Sequence, residues 1–111
     1  MVDLRGDSIG STALASTVSL GAGGGIFSST GKNLTNIAVS GGSGDNRYEL
    51  RGAGATNIAI TGSTVSDLLL MASDGATGIS LAGSGIVTAA NFGIALHDLT
   101  VTAGAGDASV Y

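Results

Sequence analysis

One short pattern recurs along this chain at intervals of 21 residues, and this repeat constrains the fold more than any other feature. Segment 35–41 (TNIAVSG) returns as 56–62 (TNIAITG) and, more weakly, as 77–83 (TGISLAG). A further copy, 98–102, follows after 20 residues, and an earlier one, 17–21, places its apolar pair 19 residues before that of 35–41. Such a period indicates a repeat protein in which each copy stacks on the next.

Apolar residues alternate with small or polar ones inside each copy. In 35–41, Ile37 and Val39 alternate with Ala38 and Ser40, which is the pattern of a strand with one buried face. A second alternating stretch follows about 11 residues later. Its expected inward pairs are Tyr48/Leu50, Leu69/Met71 and Ala90/Phe92.

The spacing of equivalent strands predicts their arrangement. Strands joined as hairpins are separated by about two to five residues, whereas here they recur every 21. They therefore stack in parallel, one per coil, at about 4.8 Å. Helices are excluded because each of the 20 glycines would cost about 1 kcal/mol in a helix interior. We predict an all-β protein, a parallel β-helix (β-solenoid) of about five coils of roughly 19–21 residues.

A single domain follows from the length of 111 residues. Residues 1–13 are predicted to form an N-terminal strand or cap, and residues 14–111 to form the solenoid repeats.

Segment 56–67 (TNIAITGSTVSD) resembles the coils of right-handed parallel β-helix proteins, the class of phage tail spikes, phage fibres and bacterial surface adhesins. The resemblance covers about residues 14–104 and is one of fold. It implies a stack of parallel strands, but coil patterns do not carry a specific function.

Segment 41–49 (GGSGDNRYE) resembles the calcium-binding nonapeptide of secreted RTX proteins, with Asn46 where that family has Asp. The resemblance implies Asp45 and Asn46 as candidate calcium ligands, and calcium as the one candidate cofactor. Calcium takes about six to eight oxygen ligands. One period later, segment 62–67 lacks the glycines and a second Asp, so an ordinary Gly-Asp turn is the favoured interpretation.

Other function classes are disfavoured by composition. A net charge of −4 argues against nucleic acid as a partner. No apolar run approaches the about 18 residues that span a bilayer, so no membrane insertion is expected. The acidic residues are dispersed, and His97 has no nucleophile placed beside it. We therefore predict that the chain is not an enzyme.

The outward positions of the first strand column are all small and uncharged, and we predict that they form a flat interface. These positions are Thr17, Ser19, Ala38, Ser40, Ala59, Thr61, Ser80, Ala82, Thr100 and Thr102. Leu68 and Leu70 take the outward slots held by Arg47 and Glu49 one coil earlier. Adjacent exposed leucines typically mark a protein interface, so we predict a homo-oligomer, either a trimer or an end-to-end stack.

The leading functional expectation is a non-enzymatic structural protein located in a virus particle: a capsid decoration, fibre or tail-spike subunit. Its expected partners are further copies of itself and other virion proteins, with surface glycans as additional candidates. The alternative is a calcium-binding repeat module of a secreted bacterial surface protein (adhesin, S-layer or RTX type), located outside the cell or at the cell surface.

Overall fold

A computed structural model describes residues 1–10 and 16–111 of the chain, and these residues form strands and turns. The strands are β1 (Val2–Leu4), β2 (Ser16–Ser19), β3 (Gly25–Ser29), β4 (Thr35–Ser40), β5 (Asn46–Leu50), β6 (Thr56–Thr61), β7 (Ser66–Met71), β8 (Thr77–Gly83), β9 (Ile86–Asn91), β10 (His97–Ala103) and β11 (Ala108–Val110). No membrane-spanning helix is found among the described residues.

The strands form two parallel sheets, and the chain passes from one to the other at each step. The odd sheet has the order β1-β3-β5-β7-β9-β11, and the even sheet has the order β2-β4-β6-β8-β10. Every pairing joins a strand to its equivalent in the next coil. The predicted fold class is therefore confirmed: the chain is an all-β parallel β-solenoid of about five coils.

Alternate residues of both sheets point into one shared core. In the middle coils, these side chains stack on their equivalents above and below and are almost fully buried. They include Phe27, Tyr48 and Leu69 in the odd sheet and Ile37, Ile58 and Ile79 in the even sheet. Because side chains alternate strictly between the faces of a strand, this core fixes which residues face outward.

Two details of the register differ from the sequence expectation. Val18 pairs with Val39, so the first even-sheet interval is 21 residues rather than 19. Leu69 pairs with Ala89, so Ala90 faces outward and Phe92 lies beyond the strand with 74% of its surface exposed. The second shift arises because one residue fewer connects equivalent positions: three residues separate Ala82 from Ile86, whereas four separate their pairing partners Thr61 and Ser66.

Four successive coils use a left-handed backbone conformation at the bend that leads into the even sheet. The residues are Asn36, Asn57, Gly78 and Asp98, whose φ angles lie between 53° and 67°. Asn and Asp tolerate this region better than other residues with a side chain. The Nδ2 of Asn57 also donates to the Oδ1 of Asn36 at 3.0 Å, which links adjacent coils at this bend.

The N-terminal segment contributes a strand to the solenoid. In β1, Val2 pairs with Phe27 and Leu4 with Ser29, so β1 is the first strand of the odd sheet. The expected boundary between residues 13 and 14 lies outside the described residues.

Candidate functional site

Ten of the predicted interface residues lie on the outer surface of the even sheet, and we call these ten the small-residue face. They form two columns, in register from β2 to β10. One column is Thr17, Ala38, Ala59, Ser80 and Thr100; the other is Ser19, Ser40, Thr61, Ala82 and Thr102.

The small-residue face has no charged side chain. Ala38 and Ser80 are half-buried, and the other eight residues are exposed. With strands about 4.8 Å apart, the five strands span about 19 Å along the solenoid axis. Because no side chain here is longer than threonine, a second surface can approach close to the sheet backbone.

Leu68 and Leu70 lie on the other sheet. They face outward from the odd sheet, and they pair with Arg47 and Glu49 as the sequence predicts. Both leucines are half-buried rather than fully exposed. The predicted interface residues are therefore divided between two separate surfaces of the solenoid.

Next to these leucines, the odd sheet carries an ion-paired cluster that the sequence analysis did not single out. Glu49 is 8% exposed and forms ion pairs with both Arg47 and Arg51. Phe92 and Leu70 line a shallow groove beside Arg51. Phe92 could not be placed from the sequence because the shortened turn before β9 shifts its register.

The two candidate calcium ligands face different environments. Asp45 is exposed, whereas Asn46 points inward and is 3% exposed. The Oδ1 of Asn46 accepts from the Gly42 amide at 2.9 Å, and its Nδ2 donates to the Gly42 and Gly44 carbonyls. Asn46 therefore holds its own turn together. The described ranges contain no group of three His, Cys, Asp or Glu side chains placed to hold a metal ion.

Asp67 is a fully buried acidic residue that sequence reasoning counted only among the dispersed acids. Its Oδ1 accepts from Asn46 Nδ2 at 3.0 Å and from the Tyr48 hydroxyl at 3.1 Å. Its Oδ2 accepts from the Ser63 amide at 2.7 Å. A buried carboxylate is tolerated only with such donors. The alternation of side chains along β7 places Asp67 on the same inward side as Leu69. This alternation in the sequence could have identified Asp67 as a buried residue.

The recurring glycines at one corner are explained by this buried cluster. A Cβ atom on Gly62 would overlap the Asp67 carboxylate, and one on Gly83 would lie 2.7 Å from Asp67 Oδ2. A Cβ atom on Gly41 would overlap the Tyr48 hydroxyl. These three glycines are therefore required for space.

The Tyr48 phenol has a strongly raised pKa. Burial is the largest cause, and the negative charge of Asp67 and the hydrogen bond to it raise the pKa further. Tyr48 consequently keeps its proton and its bond to Asp67 at pH values where an exposed tyrosine ionises.

Comparisons with known protein families, with curated protein sequences and with solved structures find no match to this chain. Its architecture defines the class to which it belongs, the parallel β-solenoids. The surfaces on which a function can be argued are the small-residue face, the outer surface of the odd sheet and the two ends of the stack.

Substituting Gly62 with alanine should destabilise the protein strongly. We expect Gly62→Ala to lower the free energy of unfolding by about 3 kcal/mol, because the new methyl group displaces the Asp67 carboxylate from its donors. Gly6→Ala is the control, since its Cβ would meet only the Ile9 side chain, whose Cδ1 lies at 3.5 Å and Cγ1 at 3.7 Å; a change within about 0.5 kcal/mol is expected. The free energy of unfolding of both variants is measured by urea unfolding. If Gly62→Ala and Gly6→Ala lower it equally, this explanation of the glycines is contradicted.

Alkaline pH should destabilise the protein through Tyr48. Below the ordinary tyrosine pKa of about 10, the Tyr48 hydroxyl keeps its proton in both the folded and the unfolded state. The contribution of Tyr48 to the stability of the fold is then fully present. Above it, the unfolded chain releases the proton while the folded chain keeps it, so stability falls as pH rises.

Tyr48→Phe removes this dependence. The slope of unfolding free energy against pH, measured between about pH 8 and about pH 11, should become shallower by up to about 1.4 kcal/mol per pH unit. Tyr111 is exposed and remains in both proteins. Identical slopes for the two proteins would rule out a raised pKa at Tyr48.

Proposed function

We propose that this chain is a non-enzymatic structural protein that self-assembles through the small-residue face, as a small component of a virus particle such as a capsid decoration, fibre or tail-spike subunit. The observation that carries the proposal is the absence of charge on this face across all five strands of the even sheet. A surface that remains in water usually carries charged side chains, and their depletion is typical of the core of an interface.

The size of the face indicates how strongly it binds. A standard interface uses about 20–30 residues on each partner, and the ten small side chains of this face provide fewer. We therefore expect each contact to be weak by itself, with association at micromolar concentrations. Such contacts become effective when many copies are arrayed, because linked contacts reinforce one another.

The chemical groups of the chain also support a structural role over a catalytic one. Asp67 is buried and already accepts three hydrogen bonds, and Glu49 is paired with two arginines. His97 is exposed at the start of β10. A hydrolytic site requires carboxylates that converge on one substrate. Here the carboxylates of Asp67 and Glu49 are already bound by other side chains or backbone amides, and they lie on opposite faces of the odd sheet.

The assignment to a virus particle rests on the resemblance of the coils to those of phage spike and fibre proteins. The low content of charged residues, 11%, also suits a subunit that is covered by neighbours. Further copies of the chain and other virion proteins are its proposed partners.

A charge placed in the small-residue face should prevent self-association. Thr61 is exposed near the middle of the face, so Thr61→Lys is expected to place like charges opposite each other when two faces meet. Thr64→Lys adds the same charge on an exposed turn three residues away and serves as the matched control.

Thr61→Lys should weaken the contact through the small-residue face. Sedimentation at micromolar concentration should therefore give a lower average mass for Thr61→Lys than for the wild type and for Thr64→Lys. All three should give the same circular dichroism spectrum. An unchanged mass for Thr61→Lys would show that the small-residue face is not the contact.

Calcium separates the proposed function from the alternative of a secreted calcium-binding module. We expect the melting temperature of the wild type to be the same with added Ca²⁺ and with a chelator, because the Asn46 side chain is already used inside its turn. A rise with Ca²⁺ that Asp45→Asn abolishes would favour the calcium-binding module and contradict the virion proposal.

A further inference from the structure

The turn after β9 carries two strongly exposed apolar side chains, Phe92 and Ile94, with 74% and 71% of their surfaces accessible. Their columns point outward in the preceding coils as well. Arg51 and Ala72 precede Phe92, Asp74 precedes Ile94, and all three are exposed although coils lie on both sides of them. The exposure of Phe92 and Ile94 therefore follows from the direction of their side chains, and neighbouring exposed apolar residues typically mark an interface.

A shallow groove lies beside Phe92 on the outer surface of the odd sheet. It has a volume of about 310 Å³ and is lined by Arg51, Leu70, Met71, Ala72 and Phe92. Ala72 is a short side chain between two long ones, since Arg51 lies one coil before it and Phe92 one coil after it. Two strand spacings, about 9.6 Å, separate Arg51 from Phe92, which leaves room for one inserted apolar side chain.

The wall of the groove that Arg51 forms is positively charged. Glu49 forms ion pairs with both Arg47 and Arg51, so two guanidinium groups share one carboxylate. This cluster thus carries an excess of one positive charge, although the whole chain has a net charge of −4. An apolar groove with a cationic wall is complementary to a partner that combines an apolar side chain with a carboxylate.

The same edge of the odd sheet also carries such a combination. Asp74 is exposed, and its Oδ1 accepts a hydrogen bond from the amide of Ile94 at 2.9 Å. This bond holds the carboxylate against the turn that carries Ile94 and Phe92. Within one copy this corner cannot fill the groove, because Phe92 already forms one of its walls. Each copy therefore presents both a cationic groove and an acidic, apolar corner that complements it.

We propose that a second copy of this chain binds at this edge, with Phe92 of each copy in the groove of the other and Asp74 of each beside Arg51 of the other. A two-fold axis midway between Arg51 and Asp74 makes both charge contacts at once, because residue i then meets j while j meets i. Ala72 lies between them, one coil from Arg51 and two residues from Asp74, and its short side chain lets the two surfaces approach.

This inference rests on the proposed function, because both describe a chain that assembles with copies of itself. It adds a contact on the odd sheet to the contact through the small-residue face on the even sheet. When both contacts are used, one copy touches two others and the assembly grows beyond a dimer. When the small-residue face is blocked, the contact on the odd sheet closes on itself and stops at a dimer.

The test exchanges the two charges in chains that also contain Thr61→Lys, so that the small-residue face does not contribute. The parent chain with Thr61→Lys alone should be a dimer at low salt, where exposed charges are least screened. Arg51→Glu brings two pairs of negative groups together in such a dimer, and Asp74→Arg brings two pairs of positive groups together. Each variant alone should therefore dimerise about tenfold more weakly, or worse.

An equimolar mixture of Arg51→Glu and Asp74→Arg should recover the dimer, because opposite charges meet at both positions when one copy of each variant combines. Sedimentation should give twice the monomer mass for the mixture at a concentration where each variant alone is monomeric. A parent chain that is monomeric at every concentration would overturn the proposal. So would a mixture that stays monomeric while both variants are folded by circular dichroism.

Arg5→Glu is the matched control for Arg51→Glu. Arg5 is also an exposed arginine ion-paired with a carboxylate two residues earlier, that of Asp3, but it lies two coils from Arg51 along the same edge. Arg5→Glu should leave the dimer of the parent chain unchanged. An equal loss of dimer for Arg5→Glu and Arg51→Glu would show that only net charge matters, which contradicts the proposed contact.

A second pair of variants keeps the proposal testable if the charge exchange prevents folding. In the same background, Phe92→Ser should abolish the dimer, whereas Ile26→Ser, which removes another exposed apolar side chain of the odd sheet, should retain it. Equal masses for these two variants would overturn the proposal. Failure of the contact through the small-residue face would appear separately, as equal masses for the wild type and Thr61→Lys.

Discussion

Each coil of this solenoid is stable only because the next coil covers it. A coil provides a few inward aliphatic side chains and two short strands, which cannot bury a core or pair their backbones alone. The register of 20 or 21 residues places Ile37 under Ile58 and Ile58 under Ile79. The turns, glycines and outward residues are all consequences of keeping this stack in alignment.

The buried cluster around Asp67 shows how the stack tolerates a charge. Three donors from two coils surround the carboxylate, and the corner glycines leave room for it. Buried polar groups that are fully satisfied favour one arrangement of a core over others, because any slip would leave them without partners. We interpret Asp67 as a residue that fixes the alignment of the turn containing Asn46 against the turn containing Ser63.

The sequence predicts the stacking direction and the small-residue face because both follow from local rules. Alternation assigns each residue to a face, and the 21-residue period assigns it to a column. The exposed position of Phe92 could not be predicted, since it depends on one residue missing from the turn before β9. The role of Asp67 depends on donors supplied by neighbouring coils, and a single repeat does not contain that information.

Hydrogen exchange of the backbone amides tests most directly whether each coil depends on the coils beside it. The central strands β5, β6 and β7 pair with a strand on both sides, so their amides should be the most strongly protected, and protection should fall towards β2 and β10. Equal protection in all of these strands would contradict the dependence of each coil on its neighbours.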